Sequence, residues 1–324
     1  MRKNALTISA FVVAAGAFGS FFRWLQNQAA FDKETGLLEP SALNILLPLI
    51  IIGAAVLFYF LIKSKKAEGL EPPTDIFSIF CGTSIFYLIS FWAIAVITTL
   101  GGLITLFKAS DYAFAGAYRI IALLAIGCGV TFPLICSCAR RLYAPSIICI
   151  FMTLPIVMFC IWLVACYKTN SSNPTIWAYA IEIITVCLAI IAFYYTAGFP
   201  YGKADPYRSM YFAMLAAFMC IVSLADSRSF GLQLVLVGTA GMLIMENWML
   251  IRNMKEPEAK PEATPEVKEP EAKPEETEAE ETGTVIEAGE ADNMSEPTIQ
   301  APEYKSQLDD TVNEILEEYK KSVE

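Results

Sequence analysis

The stretch 230–262, FGLQLVLVGTAGMLIMENWMLIRNMKEPEAKPE, changes character at Met254. Up to Ile251 it is an apolar run long enough to cross a bilayer, since about 20 mainly apolar residues span the hydrocarbon core. From Lys255 onward it is Glu, Pro, Ala and Lys. Working back towards the N-terminus, the same kind of apolar run recurs. Eight candidate spans are read at 5–25, 41–62, 84–107, 112–137, 144–167, 175–199, 207–225 and 230–251. The apolar stretch 76–107 is too long for one crossing. It is divided into an interfacial segment, opened by Pro72, Pro73, Thr74 and Asp75, and a span proper. The fold expected is all-α: a polytopic transmembrane helical bundle (1–254), a disordered acidic linker (255–302) and a short amphipathic helix (303–324).

Composition agrees with this division. Of 324 residues, 56% are hydrophobic, more than soluble domains carry. The net charge of −10 is unevenly spread. Residues 1–250 hold 15 basic and 11 acidic side chains, whereas 251–324 hold 8 and 22. The acidic character therefore belongs to the tail, which argues against its binding nucleic acid or anionic lipid headgroups. Histidine is absent, which removes the commonest general base and transition-metal ligand. Nine cysteines lie in or beside apolar runs, and the one close pair, Cys136 and Cys138, points to different sides of a helix. They read as small buried thiols, and no metal site or cofactor is expected.

Arg2 and Lys3 followed by an apolar run and Ala15, Gly16 and Ala17 have the outline of a secretory signal. The run continues through Phe18, Phe21 and Phe22, which favours a retained first helix over a cleaved leader. Lysine and arginine fix the expected orientation. One side receives Arg2 and Lys3, the Lys63/Lys65/Lys66 cluster, Arg140 and Arg141, Lys203, Arg208, Arg252 and Lys255. The other receives only Arg23, Lys33, Lys108, Lys168 and Arg228. Both termini are expected in the cytoplasm of a multi-pass cell-membrane protein.

In the tail, Glu256 to Glu262 recurs as Glu269 to Glu275, a 13-residue repeat. Regular prolines stop a continuous helix and like charges extend the chain. Past Pro302, Leu308, Val312, Ile315, Leu316 and Tyr319 recur at helical spacing, with acidic residues on the other faces. A helix this short is marginal alone. Residues 303–322 are read as a docking helix for a cytosolic protein, against a weakly helical tail without one.

Ionisable residues inside spans mark candidate sites. Arg119 and Glu182 are placed at matched depth in the fourth and sixth spans and are expected to form an intramembrane ion pair; otherwise Arg119 snorkels and Glu182 faces a wet crevice. Glu246 is expected at the interface. The connector 202–208 carries turn chemistry at Gly202 and at Asp205 and Pro206, and sets Lys203 and Arg208 at headgroup height, as a phosphate or lipid-headgroup contact or else a tight connector obeying the positive-inside rule. The glycines at 101, 102, 127, 129, 238 and 241 are expected at close helix contacts. Pro48, Pro133 and Pro155 are expected to kink their helices. No nucleophile–base or acid cluster supports an enzyme, and no internal repeat supports a transporter fold.

The segment 23–40 joins an Arg and a Gln at a helix end to an aromatic residue, Phe31, then Thr35, Gly36 and Leu37 before Pro40. It resembles the first extracytoplasmic loop of uncharacterised multi-pass membrane proteins of gut Firmicutes. The resemblance covers fewer than 20 residues. It implies a bacterial cytoplasmic membrane and brings no activity with it. The leading functional expectation is a non-enzymatic membrane scaffold, sensor or regulatory component that recruits a cytosolic partner. The alternative is a small-molecule or ion transporter using Arg119 and Glu182.

Overall fold

A computed structural model of the chain describes residues 2–31, 39–80, 85–140, 145–171 and 175–255. The linker and the docking segment, with Leu308, Val312, Ile315, Leu316 and Tyr319, lie outside the described residues. Nine α-helices are seen among those described: α1 (Arg2–Ala29), α2 (Leu43–Ala67), α3 (Ile76–Phe80), α4 (Ile85–Phe107), α5 (Ala115–Arg140), α6 (Pro145–Asn170), α7 (Trp177–Ala197), α8 (Pro206–Val222) and α9 (Phe230–Arg252). All but α3 are long and apolar enough to cross a membrane, so the chain is an all-α bundle of the integral membrane kind.

The eight spans and the short α3 follow the apolar runs closely. Most differences lie at the ends. The fourth span starts at Ala115 rather than at 112, because Ala109–Asp111 coil into a 3₁₀ turn and Tyr112 is extended. Asp205 caps α8 by accepting from the Arg208 backbone N–H at 3.2 Å, and Pro206 follows at the first helical position. Gly202 holds φ at +69°, the left-handed conformation expected of that connector.

Helices α4, α5, α6, α7, α8 and α9 each pack on the next and close into a ring, with α9 returning to α4. α1 packs on α8 and α9, and α2 sits outside, touching α1 and α8. Burial follows this order. Two thirds (67%) of the most apolar window is buried in α8 and in α9, against 17% in α2. Large apolar side chains such as Ile45, Leu49, Ile52, Ile89 and Trp92 cover the outside.

Between helices in a bilayer there is little hydrophobic drive, so close backbone approach matters. Glycines supply it, as their positions in the sequence suggest. A Cβ on Gly101 would stand 2.7 Å from the Gly231 carbonyl oxygen, and one on Gly231 2.8 Å from that of Gly101. Gly238 faces Thr98, and Gly129 faces Thr99 and the Ala95 carbonyl. The α4–α5 and α4–α9 crossings are thus backbone-to-backbone contacts. Gly16 and Gly19 play the same part where α1 meets Ile221, Val222 and Phe218 of α8.

The two ends of the bundle differ. One gathers the α1–α2, α4–α5, α6–α7 and α8–α9 connections. The other carries the start of α1, the α2–α3 and α7–α8 connections, and the end of α9. There Glu71 and Lys255 exchange two backbone hydrogen bonds, of 3.0 and 2.9 Å. The Asn253 side-chain amide also donates to the Ile79 carbonyl at 3.0 Å.

Candidate functional site

The C-terminal turns of α1 present Arg23, Gln26 and Asn27 at spacings of three and four, on one helix face. That face meets the start of α7 and the α8–α9 loop. Arg23 Nε donates to Asp226 Oδ1 at 2.6 Å, its Nη1 donates to Gln26 at 2.7 Å, and Nη2 reaches the Trp177 carbonyl at 3.3 Å. Arg23 is only 1% exposed. Asn27 donates to the Ala225 carbonyl at 3.0 Å. Gln26 passes the network to Asn44 of α2 at 3.0 Å.

Asp226 is shared. Its other oxygen accepts from Arg228 Nη2 at 2.9 Å. Arg228 Nε lies 3.1 Å from Glu182 Oε2, an ion pair whose angle falls short of a hydrogen bond. Glu182 Oε1 accepts from the Trp162 indole N–H at 2.8 Å. A chain of alternating charge therefore runs Arg23, Asp226, Arg228, Glu182, ending on a neutral donor. Side-chain exposures along it are 1, 9, 8 and 14%. Charges this little exposed persist where each is paired and hydrogen-bonded.

The chain lines a cleft of about 640 Å³ together with Asn170, Tyr179 and Gln233. From Trp162, which holds Glu182, a file of aromatic rings runs through the contacts of α5, α6 and α7. Trp162, Phe159, Phe193 and Phe132 stack in sequence with centroids 5.7, 6.1 and 6.4 Å apart, all 2% exposed or less.

One turn beyond Phe193 is a second polar group. Glu246 of α9 is fully buried, and its Oε1 accepts from Thr196 Oγ1 of α7 at 2.7 Å and from Ser209 Oγ of α8 at 3.0 Å. Its Oε2 has no hydrogen-bond partner among the described residues. Thr196 has one hydroxyl proton but two acceptors, Glu246 and the Ala192 carbonyl at 2.9 Å.

Two expectations are corrected here. Arg119 and Glu182 do not meet: Arg119 is exposed near the start of α5, and the cation beside Glu182 is Arg228. With α5 beginning at Ala115, Arg119 sits about 6 Å into the helix, where a guanidinium reaches the headgroup layer. Glu246 is not interfacial but enclosed by α7, α8 and α9. Lys203 and Arg208 are brought together, lining one crevice of about 440 Å³ near the α7–α8 connector. The network around Arg23, Asp226 and Arg228 escaped sequence reasoning because all three lie at span ends, where charges usually face water. The available signals were the polar face of Arg23, Gln26 and Asn27 and the short 226–229 loop.

Compared with protein-family models, curated proteins and solved structures, the chain matches none. Eight apolar helices identify a multi-pass membrane protein by architecture.

Proposed function

We propose that this is a non-enzymatic cell-membrane protein of the sensor or scaffold kind. In this reading the cleft on the extracytoplasmic side takes a small polar solute, and segment 303–322 recruits a cytosolic protein. The observation that carries it is the cleft lined by two arginines and two carboxylates. The lining charges balance, which suits a zwitterionic solute: each end can exchange for one existing pair without stranding a buried ion. The distribution of lysine and arginine supports a cytoplasmic position for both termini, with the acidic tail.

The test combines two measurements on full-length protein in nanodiscs. Zwitterionic amino acids should raise the melting temperature, and Arg228→Leu should abolish that rise. A pull-down should lose its cytosolic partner when residues 300–324 are removed. No stabilisation by any zwitterion would remove the sensor reading, and an unchanged pull-down would remove the docking reading.

Transport is the second reading, favoured by Glu246. A fully buried carboxyl below the aromatic stack gives a solute or cation a second polar station. Counterflow in proteoliposomes separates the two readings: accumulation of a zwitterion that depends on Glu182 and Glu246 supports transport, and its absence supports holding.

A further inference from the structure

At the end of the bundle opposite the charged cleft, α2 leaves a crevice of about 450 Å³ against α7 and α8. On α2 its wall is Tyr59, Ile62, Lys63 and Lys66, at helical positions i, i+3, i+4 and i+7, hence one face. On α8 the wall is Tyr207, Arg208, Tyr211 and Phe212. The crevice is graded. Lys66 and Lys63 stand at its mouth in the last turns of α2. Tyr59 lies about 10 Å deeper along the helix axis than Lys66. There its ring meets Tyr211 edge-on at 6.5 Å, and Phe212 stacks on Tyr195 at 5.2 Å. Charged mouth and aromatic depth match an amphiphile with an anionic head.

The charge balance at the mouth points the same way. Tyr195 and Arg208 also line the adjoining crevice that holds Lys203. Together the two crevices present four cations and one carboxylate, Asp205, which pairs with Arg208 at 3.1 Å. Glu68 is engaged by Lys65 at 2.8 Å, outside the crevice. Glu71 lies near Tyr207, with its backbone tied to Lys255. Lys63 and Lys66 have no carboxylate within ion-pair distance among the described residues. Lys66 instead lies over the Tyr207 ring, 5.6 Å from its centroid, and the Tyr207 hydroxyl donates to the Leu70 carbonyl at 2.7 Å. That bond holds the ring as one wall.

We propose that this crevice between α2 and α8 binds one anionic phospholipid of the inner leaflet, its phosphate held by Lys63, Lys66 and Arg208 and an acyl chain laid along Tyr59, Ile62 and Phe212. Basic pockets between spans on the cytoplasmic side are suited to anionic headgroups. Lys203 extends the mouth for a headgroup bearing a second phosphate or hydroxyls. The proposal is independent of any ligand in the opposite cleft.

The experiment uses full-length protein in nanodiscs of phosphatidylcholine containing a minority of phosphatidylglycerol, with bound lipid counted by native mass spectrometry. The wild-type protein should retain one phosphatidylglycerol in preference to phosphatidylcholine. Lys63→Gln, Lys66→Gln and Arg208→Gln should each weaken retention by about fivefold. Lys65→Gln, outside the crevice, should leave it unchanged, and so should Arg228→Leu at the opposite end. Equal retention of the two lipids by the wild type overturns the proposal, whatever the variants do. So does equal loss in Lys65→Gln, which would mean diffuse surface charge. Displacement of the lipid by inorganic phosphate at similar concentration would make the site a free-phosphate site and overturn the lipid assignment.

Discussion

Glu182 shows how a buried charge is kept. It has one cation, Arg228, at 3.1 Å and one neutral donor, Trp162, at 2.8 Å. Removing Arg228 strips Glu182 and Asp226 of the same partner, so Arg228→Leu should destabilise the bundle by about 3–5 kcal/mol. Arg228→Leu combined with Glu182→Leu should cost less than the sum of the two single changes, because no charge of that pair is left alone. Melting in detergent for the two singles and the double closes the cycle, and strict additivity would mean the pair carries no coupling. Glu182→Gln should be milder than Glu182→Leu, since an amide oxygen still accepts from the Trp162 indole. Glu246 leads to a sharper contrast. In Glu246→Gln the amide oxygen, in the place of Oε1, still accepts from both Thr196 and Ser209. That variant should melt within about 1 kcal/mol of wild type, whereas Glu246→Leu takes the acceptor from the buried Ser209 hydroxyl and should cost about 1–3 kcal/mol. A Gln variant as damaged as the Leu variant would show that a carboxyl is required there.

Helices are where the glycine pattern acts. At Gly101 the atom in the way of a Cβ is the Gly231 carbonyl oxygen at 2.7 Å, which is backbone and cannot rotate aside. Gly101→Ala should therefore force α4 and α9 apart and lower stability by about 1–3 kcal/mol. Gly53 of α2 has nothing within 4 Å of its would-be Cβ. Gly53→Ala should be neutral or stabilising by up to about 1 kcal/mol, because a mid-helix glycine carries an entropic penalty. Detergent melting of the two variants separates packing from propensity, and a loss of equal size at both sites would remove the close-contact account. These elements were legible in the sequence because length and apolarity determine a span, and because Gly101, Gly129 and Gly238 stand out inside such runs. The turn at Gly202 and the cap at Asp205 were legible for the same local reason. The partner of Glu182 was not. Depth along a span can be counted in one dimension, but the direction a side chain faces depends on which helices surround it. Arg119 at a similar depth faces outward, while Arg228, from a loop, folds inward. Glu246 was misplaced because distance from a helix end says nothing about enclosure by α7 and α8.

For the molecule as a whole, the pairings at each end make one consistent up-and-down arrangement. Arg23, Trp177 and Asp226 meet at one end, and Tyr207, Leu70, Glu71 and Lys255 at the other. Single cysteine reporters at Lys66 and Lys203 should thus share one accessibility and reporters at Lys108 and Ser227 the opposite one, in intact cells with an impermeant thiol reagent. Lys66 and Lys108 labelled from the same side would break the eight-span arrangement. The exit of the chain from α9 is held as well as the spans are. Two Glu71–Lys255 backbone bonds and the Asn253–Ile79 bond tie it to the α2–α3 region, and Met254 is buried there at 4% exposure. Ending the chain after Pro261 should leave the melting temperature of the bundle as in the full-length protein, since Pro/Glu repeats offer no apolar surface to share. Ending it after Arg252 removes the three hydrogen bonds to the α2–α3 region and the Met254 side chain, and should cost about 2–4 kcal/mol. Equal melting of the two truncations would show that the exit is not anchored. A collapse already at Pro261 would show instead that the acidic tail supports the membrane block, and that the boundary at Met254 is one of composition alone.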